Sequence, residues 1–125
     1  MLNSEFFTPV SNPAFDLMLS GVADSMAAVT SVYSLNRGFP EIGNAKVAII
    51  GVPEYRGSVF NRNFQKGTEA IRDKFYRLKK HENLSGIIDL GDLIPGNTNE
   101  DTQYALAEIT SELLKKSIIP VILGG

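Results

Sequence analysis

Two aspartates, Asp89 and Asp92, stand at the end of a short apolar run that begins at Gly86. Carboxylates at the end of a buried strand could bind a metal ion or act as a general acid and base. A spacing of three residues is weak evidence for either role. The favoured alternative is structural: an aspartate at a strand end accepts hydrogen bonds from loop amides or caps the next element.

The segment Gly51–Gly57 has the glycine content of a phosphate-binding loop and follows another apolar run. It lacks both the Gly-x-Gly-x-x-Gly spacing and a Gly-Lys-Ser/Thr ending. Pro53 also removes one amide that would donate to an anion. A turn that lets the chain leave the sheet is the favoured interpretation, and nucleotide binding is the alternative.

Basic residues in and after this loop could attract a carboxylate or phosphate group of a substrate: Arg56, Arg62, Lys66 and Arg72. Surface ion pairs are the favoured alternative, and for Arg72 they would involve Glu69 or the surroundings of Asp73. The single histidine, His81, lies among charged residues at a predicted helix end and is interpreted as solvated. The chain has no cysteine and no Gly-x-Ser-x-Gly elbow, so nucleophilic catalysis has no candidate.

Three apolar runs must position these residues. Val47–Val52 is a continuous apolar stretch, as expected for a parallel strand covered on both faces. The second run leads into Asp89, and the third is Ile118–Leu123, in which Pro120 is tolerable near the start. We expect three core strands.

Two helices are predicted between the strands. The first spans Thr68–Lys80, with Thr68 as its cap and with apolar residues at helical spacing: Ile71, Phe75 and Leu78. The second follows a capping box formed by Thr98 and Asp101. Alternation of strands and helices predicts an α/β fold with a parallel sheet and right-handed crossovers.

Residues 1–44 lack a dominant period and are predicted to form an N-terminal arm on a truncated βαβαβ unit of residues 45–125. Within the arm, Pro13–Leu19 can form a short helix, Val29–Tyr33 has the composition of an edge strand, and Asn36–Pro40 has that of a turn.

Composition excludes several classes of protein. The chain has 43% hydrophobic and 21% charged residues, which is ordinary globular usage. A net charge of -2 favours neither nucleic-acid nor membrane-surface binding. The apolar stretch Ala14–Val32 is interrupted by polar residues and is neither a signal peptide nor a membrane span. Together with the absence of cysteine, this favours the cytoplasm.

Taken in order, four segments resemble the ureohydrolase family, which includes arginase, agmatinase and formimidoylglutamase: Val47–Pro53 followed by Gly57, Glu69–Arg72, Asp89–Asp92 and Ile119–Gly125. The N-terminal arm and the short first loop with Asn61 most resemble the formimidoylglutamase branch. The family usually has a glycine near Asn63 and a Gly-Pro pair at Gly67–Thr68. Thr68 suits a helix start as well as proline does, whereas Asn63 leaves the course of the loop in this chain open.

The resemblance implies a three-layer α/β/α arginase-like fold with about eight strands, of which this chain would hold the N-terminal portion. It also implies two manganese ions, held by a histidine shortly after Gly124–Gly125 and by later Asp/His clusters. The chain itself is then expected to hold no catalytic residue and no metal, and to be inert. Glu54, Arg56 and Asn61 would only shape the entrance for a small-molecule substrate.

The same resemblance places the first core strand between the second and third. Ile118–Leu123, which in the family normally pairs with a late strand, would then be a sheet edge in this chain, and an apolar edge of that kind predicts self-association. The leading functional hypothesis is an N-terminal fragment of a manganese-dependent hydrolase of linear amidines, with formimidoylglutamate favoured over agmatine or arginine. The alternatives are a self-contained nucleotide- or phosphate-binding module and a non-catalytic interaction domain derived from the same fold.

Overall fold

The computed structural model describes residues 2–10, 24–56, 64–81 and 83–124. These residues form five strands, listed in chain order: β1 (Phe7–Thr8), β2 (Thr30–Val32), β3 (Val47–Val52), β4 (Ile87–Leu93) and β5 (Ile119–Gly124). They also form three α-helices and one 3-10 turn: α1 (Met26–Val29), α2 (Phe64–Arg77), α3 (Asn99–Lys115) and the turn Ser4–Phe6.

Strands β3 and β4 form the centre of the sheet. Strand β3 lies between β4 and β5 and runs parallel to both, as the resemblance implied. The other edge of β4 pairs with β2 in parallel and with β1 in antiparallel orientation. The α/β class and the parallel pairing of the three core strands are confirmed, and the arm adds an antiparallel strand that makes the whole sheet mixed.

Helices cover both faces of the sheet. Ile109 and Leu113 of α3 pack on one face, in a cluster that includes Ala48 and Ile50 of β3. Phe75 of α2 packs on the opposite face. Strands β3 and β4 are therefore buried on both sides, which explains why their sequences are continuously apolar instead of alternating.

The predicted N-terminal cap is present in α3 but not in α2. Thr98 caps α3 as predicted, since its hydroxyl accepts the Asp101 amide at 3.1 Å. Helix α2 begins at Phe64 and ends at Arg77, so the predicted span of Thr68–Lys80 was displaced by three to four residues. Thr68 is not the cap but a fully buried residue inside the helix.

The predicted apolar face of α2 was also wrong in part. Ile71 and Leu78 are 45% and 57% exposed, and between residues 67 and 77 the buried positions of the helix are Thr68, Arg72 and Tyr76. These three residues recur every four positions and therefore lie along one face of the helix. The face that α2 buries is thus polar at two of its three central positions, which requires polar partners on the sheet.

Strand β5 differs from its neighbours in burial. Ile119, Val121 and Ile122 are 62%, 40% and 40% exposed, whereas Ala48 and Ile50 of the adjacent strand are fully buried. Among the described strands, β5 is paired only with β3. Its sequence is that of a core strand, but its position is that of an edge strand.

The edge strand expected within Val29–Tyr33 is present as β2, and the turn near Asn36–Pro40 is closed by the Gly38 amide, which donates to the Ser34 carbonyl at 2.8 Å. The predicted helix Pro13–Leu19 lies outside the described residues. No helix in the described part of the chain is long and apolar enough to cross a bilayer.

Candidate functional site

Asp89 and Asp92 point to the same face of the sheet, which a regular strand would not allow. Side chains three residues apart normally face opposite sides, because the period is two. The register between β3 and β4 shifts, however: Ile49 pairs with Asp89, but Gly51 pairs with Asp92. This bulge contains Gly91 at a φ of 85°, a conformation that favours glycine. Gly91 therefore brings the two carboxylates together.

Arg72 of α2 binds both carboxylates. Its Nε and Nη2 donate to the two oxygens of Asp89 at 2.9 and 3.0 Å, and its Nη1 donates to Asp92 Oδ1 at 2.5 Å. The Arg72 residue is only 3% exposed and Asp89 is fully buried. The predicted surface pairing of Arg72 with Glu69 or Asp73 was wrong, because the bulge gives this guanidinium a stronger, bidentate partner inside the protein.

Two hydroxyl groups of the same helix face complete this cluster. The Tyr76 hydroxyl donates to Asp89 Oδ2 at 2.5 Å, and the Thr68 hydroxyl donates to Asp92 Oδ2 at 3.3 Å. The Gly91 amide donates to Asp89 Oδ1 at 2.9 Å. We call these five residues the β4 carboxylate cluster: Thr68, Arg72, Tyr76, Asp89 and Asp92. Every buried side-chain nitrogen or oxygen in the described residues has a hydrogen-bond partner.

Two groups of the cluster, the Arg72 guanidinium and the Tyr76 phenol, have shifted pKa values. Burial alone would lower the pKa of Arg72, but attraction to Asp89 and Asp92 outweighs burial and raises it. Burial, followed by the negative charge of Asp89, raises the pKa of Tyr76. At neutral pH a cationic Arg72 and a neutral phenol therefore face the carboxylates, and neither is available as a general base.

The cluster does not fit a metal centre. Asp89 and Asp92 already receive hydrogen bonds from Arg72, whose positive charge occupies the position a cation would need. In the described ranges, no group of three or more His, Asp or Glu side chains converges on a point where a metal ion could bind. The manganese ions that the resemblance implies therefore have no fitting ligands among these residues.

The end of β3 is shaped by this cluster and does not resemble a phosphate loop. A Cβ atom added to Gly51 would lie 1.9 Å from Asp92 Oδ1. Glycine is required there because the carboxylate approaches the backbone closely. A carboxylate in this place would repel a phosphate, which disfavours the nucleotide-binding alternative for this loop.

Glu54 and Arg56, two of the predicted substrate-proximal residues, are bound to each other. Arg56 Nε donates to both carboxylate oxygens of Glu54, at 2.9 and 3.0 Å. The other guanidinium nitrogens of Arg56 donate to the carbonyls of Gly96 and Asn97, both at 2.8 Å. Thr102 at the start of α3 donates to Glu54 Oε1 at 3.1 Å. The pair thus fastens the loop after β3 to the loop that leads into α3.

The environment of this pair favours its charged form. The hydrogen bond from Arg56 lowers the pKa of Glu54, burial opposes this, and the bond from Thr102 adds to it. The Glu54 hydrogen bond in turn raises the pKa of Arg56. Glu54 is only 7% exposed. Both side chains lie at the carboxyl end of β3, where parallel sheets bind ligands, but their polar groups are directed at each other and at the backbone.

The predicted substrate-proximal residue Asn61 and the basic residue Arg62 lie outside the described residues. His81 is exposed and accepts the Asn83 amide at 3.2 Å, as expected for a solvated histidine. The sequence reasoning missed Tyr76 and Thr68; their spacing of four residues on either side of Arg72 was the signal that could have identified them.

Comparison with known proteins gives one match. No curated protein and no solved structure is similar at the significance required. Residues 45–125, more than half of the chain, match the model of the arginase family. This range contains β3, α2, β4, α3 and β5, and it begins two residues before the first core strand. The formimidoylglutamase branch stays a prediction. The match and the α/β architecture agree with the ureohydrolase resemblance, and the chain belongs to the arginase family.

Proposed function

We propose that this chain provides the N-terminal scaffold of a hydrolase that cleaves a C–N bond of a linear amidine, with formimidoylglutamate favoured, then agmatine and arginine. The family match over residues 45–125 is the observation that carries the proposal. The family resemblance supplies the reaction class, and the cytoplasm is the proposed location. The choice of formimidoylglutamate rests on the sequence alone, because the N-terminal arm and the short first loop resemble the formimidoylglutamase branch.

In this proposal the described residues do structural work at the carboxyl ends of the strands. The β4 carboxylate cluster fixes α2 to β4, and Glu54 with Arg56 fixes the loop after β3 to α3. Both attachments fix the edge of the sheet at which α/β proteins bind ligands. Arg56 then shapes the substrate entrance by holding loop carbonyls, while its own charge is neutralised by Glu54.

Enzymes of the arginase family are generally manganese-dependent, and paired metals activate water for attack on the carbon of a guanidine or amidine. Since the described residues contain no fitting cluster, we propose that the ligands belong to other parts of the family's domain. The 125-residue chain alone is therefore proposed to be catalytically inert.

Proton NMR of the purified chain with manganese and each of the three substrates tests this proposal. We expect no product above the rate of a buffer control containing the same metal concentration. A polypeptide that also carries the rest of the domain is expected to cleave formimidoylglutamate fastest. Turnover by the 125-residue chain would contradict the scaffold role, and a preference for arginine or agmatine in the longer polypeptide would contradict the substrate choice.

A further inference from the structure

Strand β4 changes partners along its outer edge at the bulge that contains Gly91. Before the bulge the partner is β2, and Tyr33, the residue after β2, donates its amide to the Asp89 carbonyl at 2.9 Å. After the bulge the partner is β1, and the Ile94 amide donates to the Phe6 carbonyl at 2.9 Å. The bulge thus lies at the junction of two partner strands.

The bulge is necessary for β1 to pair as it does. In a regular strand the backbone groups of successive residues face opposite edges, so residues an odd number of positions apart cannot face the same edge. Asp89 and Ile94 are separated by an odd number of positions, yet both direct a backbone group to the outer edge. One extra residue between them accounts for this, and the bulge supplies it.

The same extra residue sets the direction of the Asp92 side chain. Without it, Asp92 would face the side of the sheet opposite to Asp89, because side chains alternate along a regular strand. With it, Asp92 Oδ1 accepts a hydrogen bond from Arg72 Nη1 at 2.5 Å. Pairing of β1 on the outer edge and the Arg72–Asp92 contact on the α2 face of the sheet therefore both require one bulge.

The arm also contacts the bulge directly. A Cβ atom added to Gly91 would lie 2.2 Å from the Thr8 carbonyl oxygen, so the backbone of β1 lies closer to the bulge than any side chain would permit. Thr8, two residues after Phe6, directs its backbone to β4 as Phe6 does. Phe7 is only 2% exposed and packs in the same core cluster as its register partner, Leu93.

We propose that β1 is a strap that is coupled to the β4 carboxylate cluster through the bulge at Gly91. Because docked β1 stabilises the bulge, it strengthens the Arg72–Asp92 contact, and that contact strengthens the docking of β1 by the same factor. A change that draws the arm away from the sheet therefore loosens the carboxyl end of β4, the edge at which parallel sheets bind ligands. This coupling does not depend on which substrate the family's domain cleaves.

The strap acts on Asp92 and leaves Asp89 in place. Asp89 precedes the bulge, lies in the part of β4 that β2 pairs, and is fully buried. Asp92 follows the bulge, pairs with β1, and has a side chain that is 26% exposed. Release of β1 therefore weakens one of the two carboxylate contacts of Arg72, and the bidentate contact with Asp89 stays.

Amide hydrogen exchange of the 125-residue chain, measured by NMR, tests the coupling from the arm to the bulge. Thr8→Pro removes the arm amide that faces Asp92, whereas Thr8→Ala loses the same exposed side chain and keeps the amide. The Gly91 amide, which donates to Asp89 Oδ1, should exchange at least about fivefold faster in Thr8→Pro than in Thr8→Ala. The Lys46 amide, at the opposite end of the sheet, should differ by less than about twofold.

A reciprocal pair of variants keeps the test decisive if Thr8→Pro does not fold, which circular dichroism shows. Asp92→Asn removes the charge that Arg72 binds after the bulge. Asp73→Asn is the matched control, since Asp73 forms an exposed ion pair on the surface of α2. The Ile94 amide, which donates to the arm, should exchange at least about fivefold faster in Asp92→Asn and less than about twofold faster in Asp73→Asn.

Selective acceleration of the Gly91 and Ile94 amides supports the strap. Acceleration of the Lys46 amide by the same factor would show that the substitutions only destabilise the whole fold, and would overturn the proposal. Equal exchange of the Gly91 amide in Thr8→Pro and Thr8→Ala would also overturn it. So would equal exchange of the Ile94 amide in the two aspartate variants.

Discussion

Strands β4 and β5 have similarly apolar sequences but opposite surroundings. Strand β4 is paired along both edges, by β3 on one side and by β1 and β2 on the other, and it buries even a charged residue, Asp89. Among the described strands, β5 is paired along one edge only, and it exposes Ile119 and Ile122. The comparison teaches that the burial of a strand is determined by its neighbours as much as by its own residues.

The strand with the deeper burial carries the charges because α2 supplies their partners. Two carboxylates in an apolar sheet would be strongly destabilising without Arg72 and Tyr76. With these partners, the cluster fixes the position of α2 over β4 and holds the bulge at Gly91. At β5 no such network exists among the described residues, and apolar side chains are left facing solvent.

The largest expected effect comes from removing the cation of the β4 carboxylate cluster. Arg72→Met leaves the buried Asp89 and the half-buried Asp92 without their counter-charge and is expected to cost about 3–5 kcal/mol of unfolding free energy. Arg77→Met is the matched control, since Arg77 is exposed and, within the part of the chain that the structure describes, pairs with Asp73 four residues earlier. The control should cost less than about 1 kcal/mol in urea denaturation. Equal costs would show that the cluster does not stabilise the fold.

A pair of alanine substitutions tests the burial difference between the two strands directly. Leu90→Ala in β4 removes a fully buried side chain from the core and is expected to cost about 2–5 kcal/mol. Ile119→Ala in β5 removes a side chain that is already 62% exposed, so we expect a cost below about 1 kcal/mol. Thermal denaturation of a dilute sample measures both. A cost for Ile119→Ala as large as that for Leu90→Ala would mean that β5 is buried in solution.

Removing the Tyr76 hydroxyl is expected to lower stability by a smaller amount that depends on pH. Tyr76→Phe removes one hydrogen bond to Asp89 and should cost about 1–2 kcal/mol at pH 7. Burial raises the pKa of Tyr76 above its usual value of 10, so its contribution is fully present below pH 10 and is lost as pH rises further. The melting temperature of the wild-type chain should therefore fall more steeply above pH 10 than that of Tyr76→Phe. Tyr104→Phe, at an exposed tyrosine, should leave the profile unchanged.

The smallest effect is expected at Glu54. The hydrogen bond from Arg56 lowers the pKa of Glu54 below its usual value of 4.5, so the stabilisation is present above pH 4.5 and is lost as pH falls through the folded-state pKa. Glu54→Gln should flatten the acid limb of the stability profile below pH 4.5. Glu69→Gln, at an exposed glutamate, is the control and should not change that limb. Identical acid limbs for the wild type and Glu54→Gln would contradict the ion pair.

The strands and the cap of α3 could be predicted from the sequence because their signals are local. Continuous apolar runs identified β3, β4 and β5, and Thr98 with Asp101 identified the start of α3. The antiparallel pairing of β1 with β4 could not be predicted, since a two-residue strand carries almost no periodic signal and its pairing is a long-range property.

The β4 carboxylate cluster was predictable only in part. Asp89 and Asp92 were identified as a pair, but their common orientation depends on the bulge at Gly91, which a period-two pattern does not reveal. The burial of Arg72 depends in turn on that orientation. Apolar spacing predicted that Ile71 and Leu78 face the core, but both are exposed. This criterion places every polar residue in solvent and therefore does not identify a buried arginine.

The central claim is that the carboxylates at the end of β4 bind Arg72 and not a metal. Titration of the 125-residue chain with Mn²⁺, followed by electron paramagnetic resonance of the free ion, tests it most directly. We expect the free-ion signal to follow the added metal, with any dissociation constant weaker than about 1 mM. Stoichiometric binding tighter than about 10 μM that Asp89→Asn abolishes would contradict the claim.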